Sequence, residues 1–189
     1  MAQFMRDNIV DRSQVLMNII LEPDPRLHCK SEDVEIVDDA LRSFMDDMLF
    51  TMKENNGIGL AAVQVGVLKK VIVVDITRSD DSVPVDGMPM FLVNAKVIKC
   101  SNDKSSFHEG CLSLPDIYAD VQRPSDIVVE YLDYYGDKHV LELQHGLLSV
   151  CIQHEIDHTN GIIFTDHISK IKRDMLVKKM LKARKKSNA

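Results

Sequence analysis

The segment 146–161 carries Leu147, Leu148, Val150, Cys151, Ile152 and Ile156 around much of a helical circumference, so it reads as a buried central helix that other layers must enclose. Inside it stands His154-Glu155-Ile156-Asp157-His158. Two imidazoles four apart on a helix face the same way and can grip one metal ion, and the glutamate between them can handle the proton of the attacking water. Thr159-Asn160-Gly161 supplies the stop. The competing reading is two buried histidines satisfied by carboxylates, with Glu155 and Asp157 solvated. A charged trio in so apolar a helix is costly without a counter-ion, which favours the metal.

A third ligand is offered upstream by Cys111, in Glu109-Gly110-Cys111-Leu112-Ser113-Leu114-Pro115. Gly110 is expected to let the backbone turn so that the sulfur faces the ion. One thiolate and two imidazoles leave a fourth tetrahedral position open, as a catalytic site requires and a structural one does not. The other cysteines, Cys29, Cys100 and Cys151, are read as small buried hydrophobes.

Gly57-Ile58-Gly59-Leu60-Ala61-Ala62-Val63-Gln64 is a run of small residues ending in an amide. It also fits a loose dinucleotide pattern, with Asp75 near the position of a ribose-binding acid. That pattern needs a strand before the glycines and a helix after them, whereas here a helical pattern precedes and a strand-like run follows. Small residues let a substrate backbone approach closely, and the Gln64 amide is a donor suited to an oxyanion.

A helix is expected over 38–55, with Leu41, Met45, Met48 and Met52 as its core face. Strands are expected over 70–76, 91–98, 127–134 and 138–143, the last two joined at Tyr135-Gly136-Asp137, with an exposed loop over 78–89. Met17 to Leu21 reads as a strand entering the fold, and residues 1–16 as an extension outside it. The class is therefore α+β: antiparallel or mixed sheets packed around the metal helix, with helices toward both ends, in one catalytic domain over 17–189. No apolar stretch is long enough for a membrane span, and four cysteines without an export signal suit a reducing compartment, so the expected location is the cytoplasm.

Gly57 to Gln64, Glu109 to Ser113 and Gln153 to His158 resemble, in order, the three signature runs of the peptide deformylases, and the resemblance extends from about Leu21 to about Lys182. It implies a hydrolase that removes the formyl group from the initiating methionine of nascent polypeptides and releases formate. It implies Cys111, His154 and His158 as metal ligands, Glu155 as proton shuttle, and Gln64 with the backbone N–H of Leu112 as oxyanion donors. Gly57, Ile58, Gly59, Leu147, Val150 and Cys151 would border the methionine pocket, ordinary core packing being the alternative. Iron(II) is the implied physiological ion, with zinc, nickel or cobalt acceptable to the same donors in purified protein. Tyr118 stands where many bacterial members carry arginine, which affects contacts beyond the methionine.

Two rival readings are a zinc peptidase, whose third ligand would lie downstream at Asp166 or His167, and a metal-binding interaction module. The segment 170–186 holds nine basic residues and one acid, a balance of +8 in a chain of net charge −6. Such asymmetry marks either a nucleic-acid contact or a solvated helix face, and the resemblance implies the ribosome. Ile168, Ile171 and Met175 are expected to dock this helix, leaving Lys178, Lys179, Lys182, Arg184, Lys185 and Lys186 free.

Overall fold

The computed structural model describes residues 14–77 and 88–187, so residues 1–13 of the extension expected over 1–16 and residues 78–87 of the loop expected over 78–89 lie outside the described residues. In chain order the elements are α1 (Asp39–Glu54), β1 (Gly59–Ala61), β2 (Val71–Val74), β3 (Met90–Cys100), β4 (Lys104–Cys111), β5 (Leu114–Pro124), β6 (Ile127–Leu132), β7 (Lys138–Leu143), α2 (Leu147–Thr159) and α3 (Lys170–Ser187). Short 3-10 turns occupy Pro25–His28, Ala62–Val65 and Phe164–His167. Among the described residues one sheet runs β1-β2-β3-β6-β7, antiparallel throughout, and β4 and β5 form a separate hairpin.

β2 shows why the layers stack as they do. Its four residues are fully buried and alternate faces. Val71 and Val73 join Met45, Met48 and Met52 of α1, while Ile72 and Val74 join Cys151, Ile152 and Ile156 of α2. The sheet is thus covered on both faces, and each fully buried aliphatic side chain there contributes roughly 1.5–3 kcal/mol over exposure. α1 begins where the Asp38 carboxylate accepts the Leu41 N–H at 2.8 Å, and the expected methionine face is its inner face. α2 ends at Asn160, followed by Gly161 at φ +76°, and is buried along nearly its whole length.

On the other side of α2 lies the β4–β5 hairpin. Leu114, Ile117, Ala119 and Val121 of β5 pack with Leu27, Ile163, Phe164 and Met180 in a third core. The central helix is therefore held between the large sheet and the hairpin.

The hairpin was not foreseen over 104–124, because its inward positions include the charged Glu109 and Arg123, which break an apolar alternation. Met17 to Leu21 forms no strand: the Met17 N–H donates to Thr51 Oγ1 at 3.0 Å and the Ile20 N–H to the Gln64 carbonyl at 2.8 Å. Cys29 and Cys100 are exposed and only Cys151 is buried. Gly110 does not turn the chain. It lies within β4, where an added Cβ would stand 2.5 Å from the Tyr118 ring. Finally, Ile171 and Met175 are 77% and 66% exposed, so α3 docks through Leu176, Met180 and Leu181, with Ile168 just before it. Arg184 is not free, since its guanidinium donates to the Glu22 carbonyl at 3.2 Å.

Candidate active site

α2 presents His154 and His158 from successive turns, and a register shift between Gly110 and Cys111 at the end of β4 brings the thiol to them. The Cys111 Sγ lies 3.2 Å from His158 Nε2, and ligand atoms of Cys111, His154 and His158 all fall within 4.8 Å of one another. His154 Nδ1 is paired with Glu109 Oε2 at 2.8 Å, so its Nε2 is the nitrogen left for an ion. Burial, then the neighbouring His154, hold His158 well below its ordinary pKa and therefore neutral, as a ligand must be. Burial opposes a charged His154, but Cys111 and Glu109 outweigh it and raise its pKa well above normal. The three donors, one thiol and two imidazoles, are a set that fits a divalent ion of borderline softness.

Glu155 projects beside them, only 4% exposed. Burial raises its pKa to about 7, and its Oε2 has no hydrogen-bond partner among the described residues. A carboxyl poised near neutrality can both take and return a proton. Gly59 makes room for it: an added Cβ would collide with the Glu155 carboxylate and stand 2.8 Å from Cys151 Sγ.

Gln64 is oriented by its own backbone neighbourhood. The Ala61 N–H donates to Gln64 Oε1 at 2.8 Å, which turns Nε2 toward Ser113 Oγ at 3.1 Å and Cys111 Sγ at 3.4 Å. The amide N–H groups therefore face the thiol, and the side chain is 1% exposed. A cavity of about 570 Å³ opens in front of these groups. Gly57, Ile58, Gly59, Gln64, Cys111, Leu112, Leu147, Val150, Cys151, His154 and Glu155 all line it. His158, fully buried, lies behind this wall.

Arg123 and Glu109 were not assigned roles from the sequence. The Arg123 guanidinium, on a residue 3% exposed, forks onto Glu109 with Nε to Oε1 at 2.5 Å and Nη2 to Oε2 at 3.0 Å, while Nη1 reaches Asp157 Oδ2 at 2.8 Å. Burial pushes the Glu109 carboxyl upward, but its bonds to His154 and Arg123 keep it below its usual pKa and therefore ionised. The chain Arg123, Glu109, His154 locks the orientation of the His154 ring, one of the three groups that could hold a metal ion. A signal for it was present: Arg123 continues the inward series Ile117, Ala119, Val121 at period two, and Glu109 precedes Cys111 by two. Phe164 adds a near-parallel ring 6.0 Å from that of His154.

The downstream residues of the peptidase reading go elsewhere. His167 Nε2 binds Asp157 Oδ2 at 2.7 Å and Asp166 pairs with Arg173. Asp75, the ribose-acid decoy, is tied to Lys53 at 2.8 Å and to Thr77.

The family model of the polypeptide deformylases matches residues 16–174. A peptide deformylase of Rhizobium meliloti (strain 1021) is 46% identical over 171 residues, covering 90% of this chain and 95% of its own. The crystal structure of peptide deformylase from Ehrlichia chaffeensis is similar at a TM-score of 0.86 with 39% identity, over 93% of this chain and all of that one. A structure of the Ehrlichia chaffeensis enzyme in complex with actinonin is similar at 0.82 with 42% identity, over 89% and 97%.

Proposed function

Because the chain belongs to the polypeptide deformylase family, we propose that Cys111, His154 and His158 hold one divalent ion, and that Glu155, Gln64 and the Leu112 backbone N–H carry the chemistry. The activity is metal-dependent hydrolysis of the N-formyl group of nascent polypeptides. The observation that supports the site assignment most is the convergence of the three ligand atoms beside a buried carboxyl with a pKa near 7.

A divalent ion bound there supplies Lewis acidity, activating water and polarising the formyl carbonyl. Glu155 takes the proton of the attacking water. Charge then develops on the formyl oxygen, and Gln64 Nε2 and the Leu112 N–H donate to it. Glu155 returns the proton to the leaving amine, so formate and a free amino terminus depart. The methionine side chain occupies the apolar side of the cavity between Ile58, Leu147, Val150 and Cys151, with Gly57 and Gly59 allowing the peptide backbone close approach.

Turnover of a formyl-methionyl peptide, without cleavage of internal peptide bonds, tests the reaction. For the ion we favour iron(II), with zinc, nickel or cobalt in purified protein, and metal analysis of anaerobically prepared protein decides. Cys111→Ser should lower both metal content and deformylation by at least tenfold, since the hydroxyl replaces a thiolate donor. Unchanged metal content and rate would show that Cys111 is not the third ligand. Residues 17–189 are taken as one catalytic unit working in the cytoplasm; no helix among the described residues is long and apolar enough to cross a membrane.

We infer that a further partner is the ribosome, through α3. Lys178, Lys179, Lys182, Lys185 and Lys186 are exposed, and Ile171 and Met175 sit bare on the same helix, while Leu176, Met180 and Leu181 anchor it. Ribosome binding should fall about 10- to 100-fold between about 50 and 200 mM salt. Deleting residues 182–189 should weaken it while turnover of a short formyl peptide persists. Undiminished ribosome binding after that deletion would refute the contact.

A further inference from the structure

His167 stands outside the ligand set, yet the short 3-10 turn that carries it acts on His154 from two sides. The turn opens with Phe164, whose ring lies 6.0 Å and 24° from that of His154, and closes with His167, whose Nε2 lies 2.7 Å from Asp157 Oδ2. An ionised carboxyl only accepts, so His167 donates through its Nε2–H. The same Asp157 oxygen receives Arg123 Nη1 at 2.8 Å, while Nε and Nη2 of that guanidinium go to Glu109. Glu109 in turn holds His154 Nδ1 at 2.8 Å. A continuous series of hydrogen bonds therefore runs from His167 through Asp157, Arg123 and Glu109 to His154.

His167 supplies this series with a second hold on its outermost carboxylate. Arg123 and Glu109 are buried, whereas the Asp157 side chain is 20% exposed and has water as a competing partner. Two donors converging on one oxygen fix its position where a single donor leaves it free to turn. The turn that presents His167 is itself secured. Asp166 Oδ2 accepts the Ile163 N–H at 3.0 Å, and Asp166 is paired with Arg173 of α3.

We propose that His167 is a positioning residue for the metal site: by holding the Asp157 carboxylate it keeps Arg123, and through it Glu109 and the ring of His154, in the orientation that suits an ion. The inference rests on the assignment of Cys111, His154 and His158 as ligands. His167 itself touches neither the ion nor the substrate, and it does not line the cavity.

The test uses the full chain with cobalt(II) as the probe, its affinity measured by competition with a chelator and its ligand geometry by its visible absorption bands. His167→Phe, which keeps a ring and removes the donor, should weaken cobalt binding about 3- to 10-fold and alter the spectrum, short of the roughly 10- to 100-fold typical of a group bonded directly to a ligand. His167→Gln can place an amide N–H where Nε2 stands, so it should stay within about twofold of the wild type. In an Arg123→Met background His167→Phe should cause no further loss, because the series is already cut. Turnover of a formyl-methionyl peptide should show a lower kcat for His167→Phe at unchanged KM. Wild-type cobalt affinity and spectrum in His167→Phe would overturn the proposal, as would an equal loss in His167→Gln or a full additional loss on top of Arg123→Met. A wild-type protein that binds no cobalt would overturn it together with the ligand assignment beneath it.

Discussion

Glu155→Gln should reduce deformylation about 10³-fold while metal content stays near that of the wild type. The amide has the shape of the carboxyl but cannot accept a proton from water or return one to an amine. Glu155 is buried with a pKa raised to about 7, and its Oε2 has no partner among the described residues, so removing its charge breaks no ion pair. The variant should therefore fold normally. Metal analysis beside a formyl-peptide assay checks this, and loss of the metal together with the activity would show that Glu155 acts as a ligand and not as the proton shuttle.

Arg123→Met should cost about 3–5 kcal/mol of stability, because it leaves the Glu109 and Asp157 carboxylates facing each other's surroundings without their shared cation. It should also weaken metal binding roughly 10- to 100-fold, since Glu109 fixes the ring of His154 only while it is itself held. Denaturant unfolding of the metal-free protein separates the two effects from each other. Adding Glu109→Gln to Arg123→Met should recover part of the stability, as the buried charge is gone, but not the metal affinity. An Arg123→Met protein with wild-type stability and metal content would remove Arg123 from any supporting role.

The two helices foreseen in the interior were legible because each repeats its apolar residues within one local element. Met45, Met48 and Met52 mark the inner face of α1, and the apolar circumference of 146–161 marks α2 as central. The β-rich middle was legible only where burial followed apolar character. Strands β2 and β6 have that pattern, and β3 and β7 follow it only in part, since Val97, Ile98 and Val140 stay exposed; β4 and β5 hide a glutamate and an arginine inside, a choice that makes sense only once His154 and Asp157 are seen across from them. On α3 the sequence offers more apolar residues than the body can cover. Which of them dock depends on the position of Leu27, Ile163 and Phe164, so Leu176 and Met180 are covered while Ile171 and Met175 stay bare.

The sequence by itself determined the ligand types and their local spacing: two imidazoles one helical turn apart, a glutamate between them, and a thiol and an amide in separate small-residue runs. Spacing along one helix is a property of that helix, so it can be read without the rest of the molecule. Only the tertiary structure decided that Cys111, 47 residues before His158, stands 3.2 Å from its ring, and that Gln64, again 47 residues earlier, turns its amide to the same thiol. It also set the upward shift of the Glu155 pKa and the downward shift of that of His158, because a pKa reflects burial and neighbouring charge, and both are set by elements distant in the chain.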